Sequence, residues 1–138
     1  MKKYIFVFVI GSLLFLHNSC TKFQAPSIDL TIVSMEEDGL IHCKGKITDN
    51  GGNKFINEMG FLFSFKPMPS YKGQEVETVM VYEDLETTDF DYIKRGIIPD
   101  TVYYIRAYAI TNAGTGYSNM KILDTHTSEE NSGGEGGK

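Results

Sequence analysis

Between Glu58 and Phe65 the side chains alternate: Met59, Phe61, Phe63 and Phe65 fall on one side of an extended chain, and Glu58, Gly60, Leu62 and Ser64 on the other. A period of two belongs to strands, because successive Cβ atoms of an extended backbone point to opposite faces. Ile41, Cys43 and Ile47 repeat the pattern toward a core, with His42, Lys44 and Lys46 turned to water. At least one face of that sheet is then solvated, which points to antiparallel pairing. Further strand runs fit at Ile28 to Val33, Glu75 to Tyr82, Phe90 to Ile93, Val102 to Ile110 and Tyr117 to Leu123, and no segment has amphipathic-helix spacing.

The breaks between runs carry turn chemistry. Glu36 to Gly39, Asp49 to Asn53 and Asn112 to Gly116 supply Asn, Asp and Gly, which tolerate positive φ or bond their own backbone. Pro67 and Pro69 keep Lys66 to Ser70 out of a central strand. Seven short strands separated this way predict an all-β, antiparallel β-sandwich. A chain of 138 residues has room for one such domain, which excludes a TIM barrel or a two-domain enzyme. Its formal charge of −5 argues against nucleic acid as a partner and disfavours anionic lipid as one.

The amino terminus reads as an address. Lys2 and Lys3 precede an apolar stretch of 13 residues, Tyr4 to Leu16, broken by Gly11 and Ser12. A membrane-spanning helix needs about 20 apolar residues, whereas a secretory signal needs roughly 7 to 15. The Leu16-His17-Asn18-Ser19-Cys20 run that follows resembles the lipobox of bacterial lipoproteins, with His17 where that family usually has Leu. The resemblance implies cleavage before Cys20 and acylation of its sulfur and amine; the alternative is an ordinary thiol after a plain signal peptide. The expected organisation is a signal peptide over 1–19, a lipidated tether over 20–26, the sandwich over 27–127, and a Gly/Ser/Glu tail over 128–138 with no apolar residue to bury.

Of the two cysteines, a lipidated Cys20 leaves Cys43 without a partner in the chain, so a disulfide is not the staple of this fold. Cys43 is read as a small buried hydrophobe. As a nucleophile it would need a base, and His42, adjacent along a strand, points to the opposite face.

The segment Pro99-Asp100-Thr101-Val102-Tyr103 followed by Tyr104-Ile105-Arg106-Ala107-Tyr108-Ala109 resembles the sixth strand of fibronectin type III domains. With Asn112, Gly114, Gly116, Tyr117 and Ser118, and with Gly51-Gly52 leading to Glu58-x-Gly60-Phe61, it looks like the fibronectin-like modules of Bacteroidetes lipoproteins, over about residues 27 to 127. The resemblance implies an immunoglobulin-like, fibronectin type III-like seven-stranded sandwich. It places Tyr103 as the tyrosine that folds back onto the preceding turn, with Ile105, Ala107 and Ala109 inward. The family's strand-B tryptophan is absent, which leaves Phe61 and Phe63 to fill the core. It also implies that the chain enters at the end bearing the loops Asp49 to Asn57 and Thr111 to Gly116, so a short tether turns those loops toward the membrane and the tail away from it.

Chemistry-bearing motifs are lacking: the sequence has no Gly-x-Ser-x-Gly elbow, His-Glu-x-x-His, Cys-x-x-Cys or phosphate-binding Gly-x-x-x-x-Gly-Lys. Asp49, Gly51 and Asn53 faintly resemble a calcium loop but lack further carboxylates and a distal Glu, so a turn is the better reading and no metal is expected. Glu83, Asp84 and Glu86 sit in a polar connection with no apolar neighbours to raise a pKa. Tyr104, Arg106 and Tyr108 share the outward face of the sixth strand, either as a stacked ladder or as a platform for a glycan or protein, with Phe55 as a loop aromatic. Together these readings predict a non-enzymatic, membrane-anchored binding module of the cell envelope without a cofactor beyond its lipid. The alternative is a carbohydrate-binding module, and an enzyme is the third reading. An outer-membrane lipoprotein is expected, and the lack of an acidic run after Cys20 favours the periplasmic face over the cell surface.

Overall fold

The computed structural model describes residues 22–81 and 88–126. Eight strands follow one another: β1 (Ser27–Met35), β2 (Ile41–Asp49), β3 (Glu58–Ser64), β4 (Val76–Met80), β5 (Asp89–Lys94), β6 (Val102–Thr111), β7 (Gly114–Tyr117) and β8 (Lys121–Asp124). All pairings are antiparallel, and no helix occurs among the described residues. One sheet runs β1-β2-β5; the other runs β4-β3-β6, with β7 and β8 both paired to β6. The signal-peptide segment with Cys20, the tail, and Glu83, Asp84 and Glu86 lie outside the described residues.

The core lies between the two sheets. Ile28, Leu30, Ile41, Cys43, Ile47 and Phe90 enter it from the first; Met59, Phe61, Phe63, Tyr103, Ile105, Ala107 and Ala109 enter from the second. The inward parity of β2 passes through Gly45, where a Cβ would lie 2.6 Å from the Phe90 ring. The missing side chain lets Phe90 lie flat over β2 and meet Phe61 across the sandwich, ring centroids 5.1 Å apart. In β1 the register slips between Leu30 and Ile32, a bulge at Thr31 that reverses the alternation. Ile32 is exposed for that reason, and the half-buried Val33 takes the inward place.

Where β5 and β4 face each other the sandwich is closed by charge. The Lys94 ammonium, on a side chain almost wholly buried, donates to both Glu77 carboxylate oxygens at 2.7 Å and lies 5.1 Å from the Phe63 ring centroid. Burial in this environment pushes the Cys43 thiol up to about 12, with the nearby Lys94 ammonium pulling weakly the other way. Such a thiol is neither nucleophilic nor reachable.

One sequence expectation is corrected. Tyr117 to Leu123, read as one run, is two strands separated at Ser118, Asn119 and Met120. Ser118 keeps that gap attached to β6: its N–H donates to Ala107 O at 3.0 Å, and its Oγ accepts the Ala107 N–H at 2.9 Å. On β3 both faces are buried: Gly60, Leu62 and Ser64 are covered as well as Met59, Phe61 and Phe63. The backbone of β4 lies against Gly60, and the connection from Lys66 to Glu75 is bonded to the same side of the second sheet, Tyr71 to Glu58 and Tyr117, and Pro69 O to Arg106.

Candidate functional site

The end of the sandwich where the chain enters is built from three segments that grip one another. Residues 22–26 lie along the β2–β3 and β6–β7 connections. Gln24 N–H donates to Gly51 O at 2.9 Å, and the Asn53 amide Nδ2 donates to Gln24 O and Asn50 O, both at 2.7 Å. Asp49 Oδ1 accepts the Gly51 N–H at 2.8 Å and Asn50 Oδ1 the Gly52 N–H at 3.0 Å. These are side-chain-to-backbone turns, so the Asp49 to Asn53 loop spends its oxygens on its own fold. Glycine is required where the tether lies closest: a Cβ on Gly51, whose φ is +65°, would stand 2.1 Å from Gln24 O, and one on Gly116 would stand 1.8 Å from Pro26 O. Asn57 and Asn112 join the two loops through a hydrogen bond, Asn57 Nδ2 donating to Asn112 Oδ1 at 3.0 Å.

This construction leaves a cleft of about 410 Å³ lined by Phe23, Gly52, Asn53, Lys54, Phe55, Asn112 and Ala113. Phe23 and Phe55 are 60% and 64% exposed, and the Lys54 ammonium sits 5.1 Å from the Phe55 ring centroid. Sequence reasoning singled out Phe55 but missed Phe23. The signal was an aromatic residue in the short segment before β1, which a sandwich core does not need.

Tyr104, Arg106 and Tyr108 do share the outward parity of β6, but they do not form an open ladder. Tyr108 is 0% exposed. Its hydroxyl donates to Glu58 Oε1 at 2.6 Å, and its ring lies 5.1 Å from that of Tyr71, whose hydroxyl donates to Glu58 Oε2 at 3.0 Å. Tyr71 N–H in turn donates to the Tyr117 hydroxyl at 3.1 Å. Arg106 turns inward to the same cover: Nε donates to Ser118 O at 3.1 Å, Nη1 to Pro69 O at 3.3 Å, and the guanidinium lies 4.5 Å from the Tyr117 ring centroid. Partial burial lowers its pKa, though not enough to cost an arginine its charge. Alternation along a strand tells which sheet face a residue takes; it does not tell whether a later loop covers that face.

Tyr104 remains half exposed beside Ile122, its register partner on β8, which is 60% exposed. Met68, also exposed, donates its N–H to the sulfur of Met120, two residues before Ile122, at 3.2 Å. Of the residues read as a stacking platform, Tyr104 and Phe55 keep exposed ring surface, and they stand at opposite ends of the domain. Tyr103 faces the core, and its hydroxyl accepts the Ile98 N–H at 2.9 Å. No group of three or more His, Cys, Asp or Glu side chains converges as for a metal among the described residues.

No protein-family model matches the chain, and no curated protein matches it. Among solved structures, one described as "Myokine structure" is similar over 77% of this chain and 100% of that one, at 11% identity and a TM-score of 0.44.

Proposed function

We propose that this protein is a lipid-anchored module of the bacterial cell envelope, a fibronectin type III-like sandwich that binds a protein partner and performs no reaction of its own. The fold assignment is supported by strand order. Taken as one strand interrupted at Ser118 to Met120, β7 and β8 bring the count to seven, arranged as three strands against four. The bond from Ile98 N–H to the Tyr103 hydroxyl is that of a tyrosine corner.

The observation that carries the functional reading is the tether. Gln24 is already hydrogen-bonded into the domain, four residues past Cys20. A chain acylated at Cys20 would thus hold the sandwich directly at an outer membrane, on its periplasmic side, with no flexible stalk between. The face free to meet a protein is then the far one, where Tyr104, Ile122 and Met68 offer apolar surface that the domain itself does not use.

Two measurements test this. Labelled fatty acid should enter the wild-type chain and not Cys20→Ala, which should leave the membrane fraction. A photo-crosslinker replacing Ile122 should capture one defined envelope protein that the same group at Lys44 does not. Labelling of Cys20→Ala, or identical capture from both positions, would sink the anchor or the partner face respectively.

A further inference from the structure

Phe23 and Phe55 stand in water at one end of a small domain whose core is complete without them. Neighbouring exposed aromatic rings mark a surface that something else covers. Their position says what. Phe23 is three residue steps from Cys20, at most about 10 Å of extended chain, and the next residue, Gln24, is fixed to the β2–β3 loop. An acyl chain on Cys20 therefore brings lipid to the very end on which the two rings stand.

The charges around the rings agree with that occupant. Lys22 and Lys54 flank them, both exposed, and a lysine stem can lie along lipid while its ammonium stays among headgroups. The carboxylate of the same loop, Asp49, is turned onto the Gly51 N–H. With an acidic chain overall, apolar burial supplies the main attraction and the lysines remove an obstacle. The distal apolar face is elsewhere: Tyr104 lies seven residues along β6 from Thr111 at the cleft end, about 23 Å of strand.

We infer that Phe23 and Phe55 insert into the lipid interface beside the acylated Cys20, seating the sandwich upright on the bilayer with the Tyr104 and Ile122 face held away from it. The inference rests on the acylation of Cys20 proposed above, and the test separates the two.

The chain contains no tryptophan, so Phe55→Trp in the full-length lipidated protein places a lone indole at the seat, and Ile122→Trp places one on the distal face. Each is reconstituted into phosphatidylethanolamine–phosphatidylcholine vesicles with and without brominated acyl chains, and flotation reports anchoring independently. Both proteins should float. The Phe55→Trp emission should shift to shorter wavelength and be quenched by brominated lipid, whereas Ile122→Trp should emit as in water and stay unquenched. Adding Phe23→Ser to Phe55→Trp should weaken the quenching without abolishing flotation. A floating Phe55→Trp protein that is not quenched overturns the seat and leaves the anchor standing. Equal quenching at both positions overturns the upright orientation. Failure of the wild-type chain to float overturns the anchor and the seat together.

Discussion

The two outer faces of this sandwich began with the same alternating pattern and ended differently. The outward side of β2 carries His42 and Lys44, each half-buried, and the exposed Lys46, with the His42 imidazole lying 3.7 Å from Glu36 and 3.5 Å from Asp91. The outward side of β3 carries Gly60, Leu62 and Ser64, all buried, and the Lys66 to Glu75 connection forms a roof bonded to that side of the sheet through Tyr71 and Pro69. That roof takes on backbone strain. Met68, Lys72 and Glu75 all adopt positive φ, at 57°, 54° and 59°, a region that residues other than glycine rarely enter. The bonds of Tyr71, Arg106 and Glu58 hold it there, and Leu62, Tyr108 and Pro69 are each buried. A sheet face bearing charges at successive outward positions stays wet. One bearing glycine, leucine and serine is available to be covered.

The contrast breaks first at Leu62. Although it lies outside the sandwich, Leu62→Ala should cost about 2–5 kcal/mol, as a core leucine does, and approach the cost of Phe61→Ala on the opposite side of the same strand. Urea denaturation of both variants checks this. A Leu62→Ala loss near zero would mean that the roof is not packed.

Glu58 sharpens the same point through polar groups. Glu58→Ala leaves the Tyr71 and Tyr108 hydroxyls without their acceptor and should cost about 1–3 kcal/mol, with Tyr108→Phe costing less, because it removes the buried donor along with the bond. If the double variant loses as much as the two single losses added together, the residues do not act as one network.

The inner side of β2 answers to pH. The Cys43 thiol is raised from 9.0 to about 12 in the folded chain, so both states hold the proton below pH 9 and the contribution to stability is fully present there. As pH rises between those values the unfolded chain releases the proton and the folded one does not, so stability should fall by about 1.4 kcal/mol per pH unit. Cys43→Ala should flatten that part of the stability curve, and the native thiol should resist alkylation at pH 8 until the domain unfolds. The smallest effect belongs to the open face: Lys44→Ala should change stability by no more than about 0.5 kcal/mol. A larger loss would show that this face is covered as well.

Much of the architecture was legible in the chain. Period-two runs located β2, β3, β5 and β6 to within a residue or two, since burial on one side of an extended backbone leaves no other apolar spacing. Phe61 and Phe63 were legible as core for the same reason. The cleft was half legible. Phe55 stood out as an aromatic in a loop, while Phe23 acquired meaning only when Gln24 was seen bonded to Gly51 and Asn53. Tyr108 was misread because its cover comes from residues some forty positions earlier, in a segment whose two prolines announced a loop and nothing about where that loop would lie.

By itself, then, the amino-acid order determined that the chain forms strands, where most of them run, and which residues fill the space between the sheets. These are local properties, set by side-chain spacing and turn chemistry within a few residues. Only the tertiary structure decided which outer face is roofed, that Arg106 and Tyr108 are bound internally, that Ser118 interrupts the last strand without freeing it, and that Phe23 and Phe55 stand together at the tethered end. Each of those depends on contacts between residues tens of positions apart, and a pattern that repeats every second residue carries no information about them.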